Sequence, residues 1–169
     1  MKTNFFEYKE KFKNDGYFVI KNFVDKNFIS KLIEEINNSK NTDKYYDSAN
    51  NLRRIEKLFN KGQYLINLNK KISIILKDIL DKDFLIFKDK FNSKPPGGEG
   101  FFAHYDGIFQ FINSDNQKKK GWYEYGDFFV SALIAIDKCD KENGALELAK
   151  CHEGNFEQLY ENTKKDGTP

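Results

Sequence analysis

The segment GGEGFFAHYDGIFQF, residues 97–111, decides how the chain is read. It holds His104, one of only two histidines, with Asp106 two positions on and Gly107 directly after it. Its aromatic residues suit a pleated, half-buried surface. On a strand, residues i and i+2 project from the same face, about 7 Å apart along the chain. An imidazole and a carboxylate so placed can converge on one cation. The same tripeptide is also an ordinary polar strand end, with His104 hydrogen-bonded to Asp106 ahead of a glycine. Taken alone, the tripeptide favours the polar strand end, and the decision falls to its surroundings.

Around this segment the chain changes character. DFLIFKDKF (83–91), FFAHYDGIFQF (101–111), DFFVSALIAID (127–137) and ALELAK (145–150) are short aromatic or β-branched runs that predict strands. ProProGlyGly (95–98) and Asn143-Gly144 punctuate them, the second a hairpin signal. Before residue 82 the periodicity is mostly helical. NFFEYKEKFKN (4–14) places Phe5, Phe6 and Phe12 on roughly one face and stops at Asp15-Gly16. YFVIKNF (17–23) reads as a strand. Asp25 is a suitable N-cap for a helix whose apolar face is Phe28, Ile29, Leu32, Ile33 and Ile36. Residues 39–51 read as a polar connection, and LRRIEKLF (52–59) as strand or short helix. Gln63 to Leu80 predicts a helix burying Leu65, Leu68, Ile72, Ile75, Leu76 and Ile79. The layout is a single domain of residues 1–169, helical over 1–82 with strands over 83–169, its sheet covered by helices on one side.

Composition narrows the function classes. Twenty-eight basic and 26 acidic residues leave a net charge of +2, without the basic excess of a nucleic-acid footprint. The run Lys118-Lys119-Lys120 reads as a solvated loop. No apolar run has the length of a membrane span, and MKTNFFEYKEKF lacks a secretory signal, so a cytoplasmic location without membrane association is expected. Cys139 and Cys151 fit reduced thiols. Seventeen Phe and nine Tyr supply core area in large pieces. Oligomeric state is not readable.

A histidine and an acidic residue are two corners of the 2-His-1-carboxylate triad of non-haem Fe(II) oxygenases, which leaves positions open for chemistry. NSKPPGG (92–98), FFAHYDG (101–107), FVSALIAID (129–137) and ENGALELAKCHEG (142–154) follow one another in an order that resembles the phytanoyl-CoA dioxygenase family. FKNDGYFVIKNFVD (12–25) resembles that family's opening helix and first strand. The resemblance implies a double-stranded β-helix (a cupin-like jelly roll), mainly β with N-terminal helices. It implies an Fe(II)- and 2-oxoglutarate-dependent dioxygenase that hydroxylates a small organic molecule with O2, giving succinate and CO2. By this resemblance His104 and Asp106 are iron ligands. Tyr105, Leu133, Lys90 and Arg54 (or its neighbour Arg53) lie near the cosubstrate, and Trp122 and Tyr125 border the substrate. Ordinary core packing is the other reading of Leu133. Family members act on acyl-CoAs, amino-acid derivatives, phosphonates and natural-product intermediates, so the substrate itself is not implied.

The pattern is also incomplete. The family's third ligand is a distal histidine after a Gly-Asp turn, followed by an arginine for 2-oxoglutarate, and neither has a counterpart here. His152 falls where the family has a Pro-Gly-Ser-His histidine that is not the usual ligand. The expectation is a chain incomplete at its C-terminus, the N-terminal part of a longer protein. The alternative is a non-catalytic jelly-roll binding module or an inactive truncated relative. Other chemistries are weaker: adjacent Cys151 and His152 would point to opposite faces of a strand. The carboxylate pairs Glu99/Asp106 and Glu124/Asp127 have no spacing that places them on one face. Gly97-Gly98-x-Gly100 lacks the strand-turn-helix context of a phosphate loop.

Overall fold

Three amphipathic helices and two small antiparallel sheets make up the computed structural model, which describes residues 5–97, 104, 106–107 and 110–148. These fall into two units, residues 5–97 and the described residues from 104 onward. The helices have 11, 13 and 18 residues and the strands three to five, so over the described residues the architecture is mixed rather than mainly β.

In the first unit α1 spans Phe5–Asp15. Its inward face is Phe5, Tyr8 and Phe12, at i, i+3 and i+7, while Phe6 is exposed, contrary to the expected stripe. Gly16, at φ +79°, ends the helix in the left-handed region, and its N–H bonds the Phe12 carbonyl at 2.9 Å. The strand expected over 17–23 does not form. Phe18 instead packs on the rings of Tyr8 (5.3 Å) and Phe12 (6.0 Å). Asn22 turns at φ +54°, and the Phe23 carbonyl accepts from Lys71 Nζ at 3.0 Å. The aromatic residues that suggested a strand are used to anchor a helix.

Helix α2, Lys26–Asn38, begins as expected: Asp25 Oδ1 accepts the Phe28 N–H at 2.7 Å. It buries Leu32 and Ile36 against α3, Gln63–Leu80, which contributes Leu65, Leu68, Leu76 and Ile79. Ile72 and Ile75 are half-buried at the margin. The first residue outside α3, Gly62, has no side chain to cap it, so the cap comes from α2. Glu35 Oε2 accepts the N–H groups of Tyr64 and Leu65 at 2.8 and 3.0 Å.

Strands β1 (Asp43–Tyr46), β2 (Leu52–Glu56) and β3 (Lys90–Asn92) form one antiparallel sheet with β2 in the centre. The nominally helical segment 1–82 thus holds two strands. The stretch read as a polar connection contains β1, and the ambiguous 52–59 run is a strand over Leu52–Glu56. Of DFLIFKDKF only Lys90 and Phe91 join a ladder. A β-compatible composition identifies no partner, and ladder bonds need one. Ile55, opposite Lys44 and Phe91, is the buried residue of β2, and Leu58 joins it in the core.

The β1–β2 turn is organised by Asp47. Its Oδ1 accepts the N–H groups of Asn51 (2.8 Å) and Ala49 (3.0 Å), and Arg53 approaches Oδ2 at 3.8 Å. The Asn51 N–H bond foremost, aided by Ala49 and Arg53, holds the Asp47 carboxyl below the usual carboxylate range. A carboxyl lowered on folding stabilises the native state above its unfolded pKa of about 3.9, and that contribution disappears as pH falls through the folded value. Asp47→Asn is therefore expected to lower the urea midpoint at neutral pH, with the gap from wild type closing in acid. A pH-independent gap would show that the charge is not what Asp47 contributes.

In the second unit β4 (Gln110–Ile112) pairs with β5 (Lys118–Lys120). Asn113 Oδ1 closes the hairpin by accepting from Asp115 N (3.0 Å) and Gln117 N (2.8 Å). The lysine run read as a loop is thus a strand, because this turn returns the chain in register with Phe111 opposite Lys119. A short 3₁₀ helix follows over Gly121–Glu124. Residues 127–137 belong to no strand among the described residues, nor do 145–148. Asn143-Gly144 does lie in a turn, where Ala145 N bonds the Asp140 carbonyl at 2.9 Å. Among the described residues no helix is long and apolar enough to cross a membrane.

Candidate metal centre

His104 and Asp106 come together in the second unit, with His104 Nε2 3.5 Å from Asp106 Oδ1. They do so at a turn and not on a strand. Asp106 and Gly107 are turn residues, Gly107 has φ +80°, and β4 begins at Gln110. Gly107 takes the left-handed region that glycine adopts freely, and the pair stands at this turn ahead of β4. Both side chains are open to solvent, His104 at 32% and Asp106 at 53% relative exposure. The 3.5 Å separation exceeds the ordinary range of an N–H···O bond. An exposed His104 facing Asp106 ahead of Gly107 is common to the polar-turn reading and the metal-ligand reading.

Two contacts fix this turn. The Trp122 N–H bonds the Gly107 carbonyl at 3.0 Å, and its indole lies against the bare Cα of Gly107, where a Cβ would come within 2.7 Å of the ring. The indole is backed by Phe129, 5.7 Å between centroids, and Tyr123 meets Phe129 edge-to-face at 5.8 Å. The Ser131 hydroxyl donates to the other carboxylate oxygen, Asp106 Oδ2, at 3.3 Å. Ser131 was not singled out from the sequence. It is 25 residues from Asp106, and no local spacing signals the pairing.

The remaining candidates are distributed. Trp122 is half-buried over Gly107, and Tyr125, three residues beyond the donor of the Gly107 bond, is exposed. Leu133 is 68% exposed, so core packing does not describe it. Lys90 and Arg54 belong to the sheet of the first unit. Lys90 is exposed on the edge strand opposite Glu56. Arg54 Nε lies 3.0 Å from Glu56 Oε1, within ion-pair reach but off the line of a hydrogen bond, and its guanidinium covers the Tyr45 ring at 4.4 Å. Lys88 reaches the same Glu56 oxygen at 3.1 Å. Glu124 is paired with Lys119 at 3.3 Å, which disfavours it as half of a hydrolytic carboxylate pair. Tyr105, Glu99, Cys151 and His152 lie outside the described residues. Cys139 is an exposed free thiol.

The donor set can be compared with what a metal requires. Bonds of about 2 Å to a first-row divalent ion put two neighbouring donors about 3 Å apart, close to the separation of Nε2 and Oδ1. One imidazole nitrogen and one carboxylate oxygen are the mixed N/O donors that suit non-haem iron. The pair fits two positions of such a site. Among the described residues no group of three or more His, Cys, Asp or Glu side chains is arranged to hold an ion.

Comparison with known proteins adds an independent observation. The chain is 24% identical over 176 residues to the 2-aminoethylphosphonate dioxygenase of Uncultured bacterium HF130_AEPn_1, an alignment covering 96% of this chain and 62% of that protein. Over 73 residues it is 30% identical to dioxygenase lolE1 of Epichloe uncinata, covering 43% of this chain and 24% of the fungal protein. The chain thus spans less than two thirds of the length of either relative, and both are named dioxygenases. No protein-family model matches the chain. No solved structure matches it.

Proposed function

We propose that this chain carries the iron-binding turn of an Fe(II)- and 2-oxoglutarate-dependent dioxygenase of the phytanoyl-CoA dioxygenase type. Its reaction hydroxylates a small organic molecule with O2 and gives succinate and CO2, inside a jelly-roll domain. The observation that carries the reading is the open pairing of His104 Nε2 with Asp106 Oδ1 at 3.5 Å. Similarity along nearly the whole chain to a protein named a dioxygenase supports it.

His104 and Asp106 would hold the iron, with a further histidine from polypeptide outside this sequence. When bound, the iron supplies the capacity to activate O2, which no protein side chain has. What the chain's own residues do is hold two donors side by side, keep them accessible, and fix the turn that bears them through Trp122 and Ser131. Tyr105 and Leu133 are assigned to the cosubstrate, and Leu133 has the exposure such a role needs. Tyr125 and Trp122 are assigned to the substrate border, the indole acting also as a wall of the turn. The assignments of Lys90 and Arg54 to 2-oxoglutarate rest on the resemblance alone. A cytoplasmic setting belongs to the same reading, and the exposed Cys139 thiol is compatible with a reducing compartment.

The test uses the full-length protein with ferrous iron, 2-oxoglutarate and a panel of small acids, amines and phosphonates. The expected result is succinate release that requires iron and 2-oxoglutarate and is stimulated by one substrate class. Failure of the iron-loaded, folded protein to turn over 2-oxoglutarate, with or without substrate, would overturn the assignment.

A further inference from the structure

A carboxylate on a short side chain can offer a cation one oxygen or both, and it turns freely about its last bond unless something holds it. In this chain the two oxygens of Asp106 have different surroundings. Oδ1 faces His104 Nε2 at 3.5 Å, and Oδ2 accepts the Ser131 hydroxyl at 3.3 Å. Ser131 comes from a segment 25 residues further on, so the bond ties two distant parts of the second unit. The Gly107–Trp122 contacts hold the backbone of the turn but do not touch the carboxylate itself.

Resting on the metal-binding reading above, we propose that Ser131 is the positioning residue for Asp106. By occupying Oδ2, its hydroxyl presents Oδ1 alone toward the ion, so that Asp106 binds through one oxygen beside His104. Hydrogen-bond partners of metal ligands set affinity by fixing ligand orientation, and their removal typically costs about 10- to 100-fold. Ser131 is exposed, so its replacement leaves no cavity and the fold is retained.

The experiment measures Mn2+ binding, an air-stable probe of the site, by electron paramagnetic resonance on the full-length protein. Wild type is compared with Ser131→Ala, Ser131→Thr and Asp106→Ala, with thermal unfolding of each recorded in parallel. The expected result is that Ser131→Ala binds about 10-fold more weakly with unchanged unfolding, Ser131→Thr binds as wild type does, and Asp106→Ala shows no saturable binding. Wild-type affinity in Ser131→Ala overturns the proposal, as does equal weakening in the alanine and threonine variants, because the hydroxyl is then not the operative group. Undiminished binding by Asp106→Ala instead overturns the metal-binding reading itself, so the two failures are distinguishable.

Discussion

Gly107→Ala is expected to destabilise the second unit by about 3 kcal/mol and to loosen the His104–Asp106 pair, whereas Gly97→Ala costs about 1 kcal/mol. Both glycines sit in the left-handed region, at φ +80° and +76°, so each alanine meets the same backbone penalty. Their surroundings differ. A Cβ on Gly97 has nothing within 4 Å, while one on Gly107 would lie 2.7 Å from Cε3, 2.9 Å from Cδ2 and 3.2 Å from Cγ of Trp122. The indole cannot slide aside freely, because its own N–H backbone bond is made to Gly107 and its ring is backed by Phe129. Overpacking of this kind costs about 1–3 kcal/mol beyond the strain. Urea unfolding followed by far-ultraviolet circular dichroism reads both effects, and it stays readable when Trp122, the single tryptophan of these 169 residues, is replaced. Trp122→Ala should remove most of the difference between the two glycine variants, a coupling that a double-mutant cycle isolates. Equal losses at Gly107 and Gly97 would show that the indole does not press on the turn. Because Gly107 follows Asp106 directly, the metal binding proposed for Asp106 should weaken along with stability.

What the sequence disclosed here was set by how local each signal is. Asp25 announces α2 because an N-cap acts within three residues, and the stripes of α2 and α3 show because burial recurs with the helical period. The pairing of His104 with Asp106 was legible for the same reason, as a two-residue spacing, although the pair stands at the Gly107 turn and not on a strand. The signals that misled were compositional. YFVIKNF and DFLIFKDKF have the residues of strands, but Phe18 packs on α1 and Leu85 lies exposed, because strand formation depends on a partner that composition does not specify. Lys118–Lys120 reads as solvent-facing, yet the Asn113 turn brings it into register with β4. Ser131 and Trp122 act on the site across 25 and 15 positions, and a pattern read within a window does not contain such pairs.

Glu35 is the strongest case of a long-range device, and Glu35→Ala is expected to destabilise the first unit by about 2 kcal/mol. Helix α3 starts after Gly62, and the first N–H groups of any helix lack internal partners. The Glu35 carboxylate of α2 takes two of them, Tyr64 N and Leu65 N, and places a negative charge at the positive end of the α3 dipole. It therefore caps one helix while joining it to another, next to the Phe28–Tyr64 ring contact at 5.2 Å. Glu35→Gln keeps an acceptor but not the charge and should lose about half as much. Gly62 sits at φ −166°, extended backbone open to any residue, so its role is spatial: a Cβ there would run into the Glu35 carboxyl group. Gly62→Ala should thus cost about 1–2 kcal/mol in wild type by displacing the cap. In the Glu35→Ala background the same change should fall within about 0.5 kcal/mol of neutral, since reduced freedom of the unfolded chain offsets the poorer N-cap. Additive losses in the double variant would mean that Gly62 serves the backbone and not the carboxylate. The non-additive result, read from urea midpoints, would establish that α2 and α3 are joined through this one side chain.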